Sequence, residues 1–474
     1  MELRAAFLLP GNLMAIVLTC TAATAATPLK KEAAPRYSDG FVSLPGPLGL
    51  MEPSTLLPPP DDGTTFVTLS KSSRRAANPD VDLTSEPRRW QSAASSSGFQ
   101  PYTWGLAGDI NANVALGLQS TLFYTDNIDF LTSNRKKSET VFEISPVIKL
   151  DLGDPQGWIS GPNSGRSQYY TSLLYVPTFY YHLGEEVDDY AQHFLCETGR
   201  VNEVSRSVLR LEYDERILAS SENTSPEMNY TLLDASALQE YKITPRTTLR
   251  GKGTYRKLTV AQATSNRSEW IGDLGLNWEL SPKTKLGIGS EFGSIIYEQR
   301  ALGSQNYQQA LILIDWRPTT KFGFNTRTGI EWREFQRSPP QSMKTSLVTM
   351  SSVYWQVSEK TRINTSLRVA NTPSVLAQGA LFRQIRFGPD ISHDFSPHFY
   401  STAAVQVIRR LYDTGRRDWE PMLRLALGYR GEIDREYNRT NIELFYQWHQ
   451  RTRSDVQGAD VNRSQVGVQL TRYF

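Results

Sequence analysis

A spacing constrains this chain more than any other feature. Short turn-like stretches recur at TPRT around Pro245, SPKT around Pro282, RPTT around Pro318, SEKT at Glu359, SPH at Pro397 and EIDRE at Asp434. Successive separations are 37, 36, 41, 38 and 37 residues. Between each pair lie two runs in which apolar residues occupy every second position, as in Leu423, Leu425, Leu427 and Tyr429. A two-residue period belongs to a strand with two different faces. A helical solenoid can repeat at a similar length, but threonine, tyrosine, tryptophan and glycine stand where a helix would favour alanine and leucine. A propeller blade of this size needs four strands, and the sequence supplies two. The repeat unit is an up-and-down hairpin.

Extending the same pattern backwards places strand starts near 111, 138, 167, 191, 206, 228, 247, 266, 284, 304, 320, 344, 361, 380, 398, 418, 435 and 461. The expected fold is all-β: a transmembrane antiparallel up-and-down β-barrel of about 16–18 strands, an even number as in bacterial single-chain barrels. If the tight turns are periplasmic, both ends of the barrel segment lie on that side.

Composition does not oppose a membrane barrel. The chain is 21% charged and 39% hydrophobic, which reads as soluble, yet a barrel alternating lipid-facing with lumen-facing residues averages to a polar composition. A net charge of +2 gives no general attraction to nucleic acid. The start, MELRAAFLLPGNLMAIVLTCTAATAATPLK, has Arg4, an apolar region and small residues Ala23, Thr24 and Ala25. Residues 1–26 are therefore expected to be a secretory signal peptide; a lipoprotein reading through Cys20 is poorly served by Thr19. Removing that segment leaves Cys196 as the one thiol, so no disulfide framework is expected. Residues 27–108, with PGPLGLMEPSTLLPPPDDG and QSAASSSG, lack apolar period and are expected to form a disordered periplasmic extension. The barrel is assigned to 109–474.

The two faces can be read within a strand. Arg424, Ala426, Gly428 and Arg430 oppose the leucine set, and Glu443, Phe445, Gln447 and His449 oppose Ile442, Leu444, Tyr446 and Trp448. A one-residue slip would put Arg424 and Arg430 in hydrocarbon, at about 2–4 kcal/mol each near the midplane. The expected lumen carries Arg210, Glu212, Arg250, Lys252, Arg256, Asp273, Glu291, Arg327 and Glu331, then Arg368, Arg386, Arg424 and Arg430 with few acids between them. Such a wall suits anionic solutes, because planar guanidinium groups match carboxylates and phosphates; a mixed ion-pair ladder that only solvates the pore fits equally well. Trp278, Trp316 and Trp355 precede short turns, while Trp270, Trp332 and Trp448 neighbour the longer loops. Together they read as two interfacial girdles, in contact with outer-membrane lipid and lipopolysaccharide.

Signals of catalysis are weak. The five histidines, His182, His193, His393, His398 and His449, show no metal-binding spacing such as HExxH, and there is no G-x-S-x-G. His393-Asp394 reads as a solvated turn and the EEVDD run at 185–189 as a solvated loop. No enzyme activity, cofactor or metal is expected.

The segment LGLQSTLFYTDNIDFL (116–131), with Tyr124, Thr125, Asp126, Asn127 and Ile128, followed by the proline-interrupted Ile144-Ser145-Pro146, resembles the opening of a family of Gram-negative outer-membrane β-barrel porins. Some members of that family are associated with exopolysaccharide export. The resemblance implies an outer-membrane channel for a polysaccharide or a small anionic solute. The alternative is a non-conducting accessory barrel of a surface-polysaccharide secretion system, in which residues 27–108, which lie outside the resemblance, engage periplasmic export components. The resemblance also implies a last strand read by the barrel assembly machinery, through Phe474, Leu470, Val468 and Val466. Arg472 departs from that pattern, since an apolar residue is usual at its place.

Overall fold

The computed structural model describes residues 102–105, 111–127, 138–153, 168–184, 189–202, 204–218, 228–260, 266–298, 304–336, 341–373, 381–412, 415–434, 438–453 and 460–473. Phe474, residues 1–26, where a signal peptide is expected, and nearly all of 27–108 lie outside them. The described residues form strands joined by turns, with no helix. In chain order the strands are β1 (Tyr102–Gly105), β2 (Asn111–Thr125), β3 (Glu139–Gly153), β4 (Gln168–His182), β5 (Asp189–Val201), β6 (Ser205–Leu218), β7 (Met228–Thr244), β8 (Thr247–Val260), β9 (Arg267–Ser281) and β10 (Thr284–Tyr297). There follow β11 (Ser304–Thr319), β12 (Phe322–Gln336), β13 (Gln341–Gln356), β14 (Thr361–Pro373), β15 (Leu381–Asp394), β16 (Phe399–Tyr412), β17 (Arg417–Asp434), β18 (Asn438–Arg453) and β19 (Val461–Tyr473).

Each of β2 to β19 pairs antiparallel with its neighbours in sequence, and β19 pairs back onto β2 from Gln465↔Thr125 to Tyr473↔Gly117. The sheet is a closed barrel of eighteen strands, the upper end of the expected range. Strands run from 13 residues in β5 to 18 in β17, longer than the roughly 9–11 that cross a hydrocarbon core. The seam joins both stretches that stood out in the sequence. Asp126 Oδ1 accepts from the Ser464 amide at 2.6 Å, and Asn127 Nδ2 donates to the Asn462 carbonyl at 2.9 Å. The Y-T-D-N segment thus latches the first barrel strand to the last.

Turn chemistry explains the spacing. At five short turns a serine or threonine hydroxyl accepts from the amide two residues on: Thr244–Arg246, Ser281–Lys283, Thr319–Lys321, Ser358–Lys360 and Ser396–His398, all at 3.2–3.3 Å. The hydroxyl imitates a backbone turn, and proline in three of them presets φ. One expectation shifts. Pro318 lies inside β11 at an irregularity between Trp316 and Thr319, and the turn falls at Thr320-Lys321. A proline cannot donate to a ladder and is tolerated where the ladder is already broken. Pro146 and Pro177 follow the same logic, because the β3–β4 ladder opens between Ile144↔Phe179 and Ile148↔Tyr175.

A second difference is β1. Tyr102–Gly105, inside the segment assigned to the extension, pair with Asn111–Val114. β19 covers that edge of β2 only from Gly117 to Thr125, so β1 occupies edge that would otherwise present unpaired backbone groups.

The faces separate cleanly. On β17, Leu425, Leu427 and Tyr429 are exposed while Arg424, Met422 and Ala426 are buried. Around the ring, exposed apolar residues such as Leu274, Ile288, Ile312, Leu347 and Leu444 are each more than half accessible. An outward apolar surface beside an inward charged one is the inverse of a water-soluble fold, and it fits hydrocarbon outside with water inside.

Candidate functional site: the inner wall

The inner face is a net of ion pairs laid across strands. Arg256 on β8 donates to Asp234 on β7 at 2.6 Å and to Glu269 on β9 at 3.3 Å, and Glu269 also takes Arg267 at 2.6 Å. Arg327 on β12 reaches past β11 to Glu291 at 2.7 Å and on to Asp273 of β9 at 2.6 Å. Further round, Arg410 and His449 share Glu420, Arg424 bonds Glu443, and Arg430 meets Asp394 at 2.9 Å. Several groups of this wall are withdrawn from water: Arg267, Arg451 and Glu420 are 0% exposed. Such pairs survive burial because each desolvated charge meets an opposite one in good geometry.

A three-part unit recurs in this wall. Tyr170, Tyr307 and Tyr400 each lie flat over a glycine of the adjacent strand, Gly199, Gly293 and Gly428, at places where an added Cβ would fall inside the ring. Each hydroxyl donates to a glutamate: Tyr170 to Glu197 at 2.7 Å, Tyr307 to Glu291 at 3.3 Å and Tyr400 to Glu443 at 3.0 Å. At two of the three an arginine lies over the ring, Arg333 over Tyr307 at 4.7 Å and Arg430 over Tyr400 at 4.2 Å. Glycine admits the ring, and the ring aims its hydroxyl along the wall at the acid.

The residues singled out in the sequence occupy these positions. Arg250 and Lys252 stand on the inner face of β8, with Lys252 across from Asp273 of β9. Arg327 sits in the Asp273–Glu291 pair. Arg368 and Arg386 are direct cross-strand partners on β14 and β15. Arg424, Arg430 and Glu443 belong to the β16–β18 network. The sequence reading of few acids among the late arginines is corrected here: Arg424 is held by Glu443 and Arg430 by Asp394, acids brought in from the next strand or from two strands away. Trp278, Trp316 and Trp355 lie exposed on the outer face at the short-turn end, and Trp332 and Trp448 are half-buried on the outer face toward the opposite end. Val466, Val468 and Leu470 are exposed outward on β19; Phe474 lies outside the described residues.

One element leaves the wall. The β13–β14 ladder stops at Thr349↔Val369, whereas β14 and β15 stay paired to Pro373↔Leu381. Beyond Val369 all residues to Pro373 are buried, as are Leu381 and Phe382. Asn371 Nδ2 donates to Glu331 Oε1 on β12 at 2.8 Å and to Ser346 Oγ on β13 at 2.5 Å, while Arg333 reaches the Asn371 carbonyl at 3.5 Å. Glu331 and Ser346 are themselves inward-facing, so the hairpin end rests on the inner surface and narrows the lumen there. Phe382 packs on Tyr412 with centroids 5.0 Å apart, holding the hairpin on its other side.

The inner face also brings together groups that the sequence kept apart. His193 on β5 meets Asp214 on β6 at 2.6 Å, with Glu212 Oε1 at 3.9 Å. No linear spacing announces them, because register across two strands joins them.

No known family matches the sequence, and no curated protein matches it significantly. Among solved structures, a Pseudomonas aeruginosa OpdK crystallised with vanillate is 11% identical, with 76% of this chain and 99% of that one covered and a TM-score of 0.43. Acinetobacter baumannii OccAB3 is 11% identical over 77% and 99% of the two chains, with a TM-score of 0.43. A BenF-like porin from Pseudomonas fluorescens Pf-5 is 10% identical over 76% and 98%, with a TM-score of 0.44. The architecture of this chain follows from its own strand pairing.

Proposed function

We propose that the chain is an outer-membrane channel that passes small anionic solutes through an aqueous lumen. The observation that carries this is the closed ring of eighteen strands with a charged inner face and an apolar outer one, since barrels of that strand number are wider than their wall side chains can fill. Arg368 and Arg386 stand side by side on the inner face and support the anion preference, because planar guanidinium groups match an entering carboxylate or phosphate. The inward β14–β15 end favours a small solute over a polysaccharide strand, which the resemblance alone would allow. The outer belt is the surface for lipid and lipopolysaccharide, and β19 is the segment offered to the assembly machinery.

A second reading is favoured by the depth at which Arg267, Glu420 and Arg451 are buried: a closed, accessory barrel of a surface-polysaccharide secretion system. Planar-bilayer recordings in a salt gradient separate the two. The channel reading expects conductance with a reversal potential of the anion-selective sign, moved toward zero in the Arg368→Gln, Arg386→Gln double variant. Cation selectivity, or an unchanged potential in the variant, would overturn the anion preference.

A further inference from the structure

We infer that His193, Glu212 and Asp214 form a binding site for one divalent transition-metal ion, which clips β5 to β6 from inside the wall. Among the described residues this is the grouping in which three or more metal-ligating side chains converge, with their donor atoms all within 4.8 Å of one another. His193 is 0% exposed, Glu212 1% and Asp214 2%. Ligation at bonds of about 2.0–2.2 Å needs donor atoms about 3 Å apart at right angles and about 3.4 Å apart in a tetrahedron. His193 Nδ1 to Asp214 Oδ1 is 2.6 Å and to Glu212 Oε1 is 3.9 Å, so an ion entering would part the first pair by a few tenths of an ångström and draw the Glu212 carboxylate in.

The strands supply this geometry. His193 and Asp214 are direct cross-strand partners, and Glu212 lies two residues before Asp214, hence on the same face. Val176 of β4 stands across from His193, and Leu232 of β7 across from Asp214, both buried and apolar. Arg210 approaches Glu212 at Oε2, 3.5 Å away, on the oxygen opposite the one facing His193.

A comparison within the molecule shows why this histidine differs. His449 also meets a buried carboxylate, Glu420 at 2.5 Å, but Arg410 binds the same acid and Arg463 stands across from the ring. Guanidinium groups occupy the place a cation would take. At His193 two carboxylates converge on one imidazole, with Arg210 on the far oxygen of Glu212, and a divalent ion between them would balance both. One imidazole nitrogen with two carboxylate oxygens suits Zn²⁺ or Mn²⁺ better than the all-oxygen ions Ca²⁺ and Mg²⁺.

The test uses the full chain, folded in detergent and stripped with EDTA, titrated calorimetrically with ZnCl₂ and MnCl₂ and followed by thermal unfolding. The expected result is one ion per chain and a rise in unfolding temperature, with affinity at least tenfold weaker in Asp214→Asn and His193→Gln. Glu212→Gln, which keeps the side chain's size, serves where either of those fails to fold. Absence of stoichiometric binding by the unaltered chain would overturn the site, as would equal binding in the folded variants. Because binding is read in detergent, a barrel that conducts no ions would leave this result untouched.

Discussion

At the residue scale the barrel depends on which way each side chain points. Leu425 is exposed and Ala426 buried, although they are neighbours in sequence. Leu425→Arg should lower folded barrel by about 2–4 kcal/mol near the midplane, measured by urea titration in lipid vesicles, and an effect below 0.5 kcal/mol would mean that this face is not in hydrocarbon. The tyrosine–glycine units give a complementary expectation. Gly428→Leu should push the Tyr400 ring off the wall and break its bond to Glu443, at roughly 1–3 kcal/mol from overpacking. Native-like unfolding of that variant would show that the ring has another place to go. Facing was legible in the sequence because the alternation is strict in β17 and β18. The partners of each charge were not, because Arg424 finds Glu443 and Arg327 finds Asp273 only once register is set.

At the scale of elements, strand positions were readable to within about three residues, because turn signals and period-two runs reinforce one another. What the pattern could not show was departure from the ring. β14 reads as an ordinary alternating strand, yet past Val369 it bends onto the inner surface, held by Asn371. Asn371→Ala removes the side-chain bonds to Glu331 and Ser346 and should let the hairpin end swing back, raising single-channel conductance without loss of folded barrel. A lower or unchanged conductance would mean that the hairpin is not the narrowest point. Likewise β1 was hidden in a proline- and serine-rich stretch, since its pairing depends on edge left uncovered by β19 rather than on its own period.

For the whole molecule, closure is the decisive property. The seam between β2 and β19 joins residues more than three hundred positions apart through Asp126, Asn127, Asn462 and Ser464, and a closed ring has no open edge to aggregate. Eighteen strands enclose more space than a packed core would fill, and the paired charges on the wall keep that space polar. Whether ions flow through it tests the central claim most directly. Purified, folded chain inserted into planar bilayers should give discrete, reproducible current steps in potassium chloride. A barrel that inserts and stays folded yet carries no current would contradict the channel.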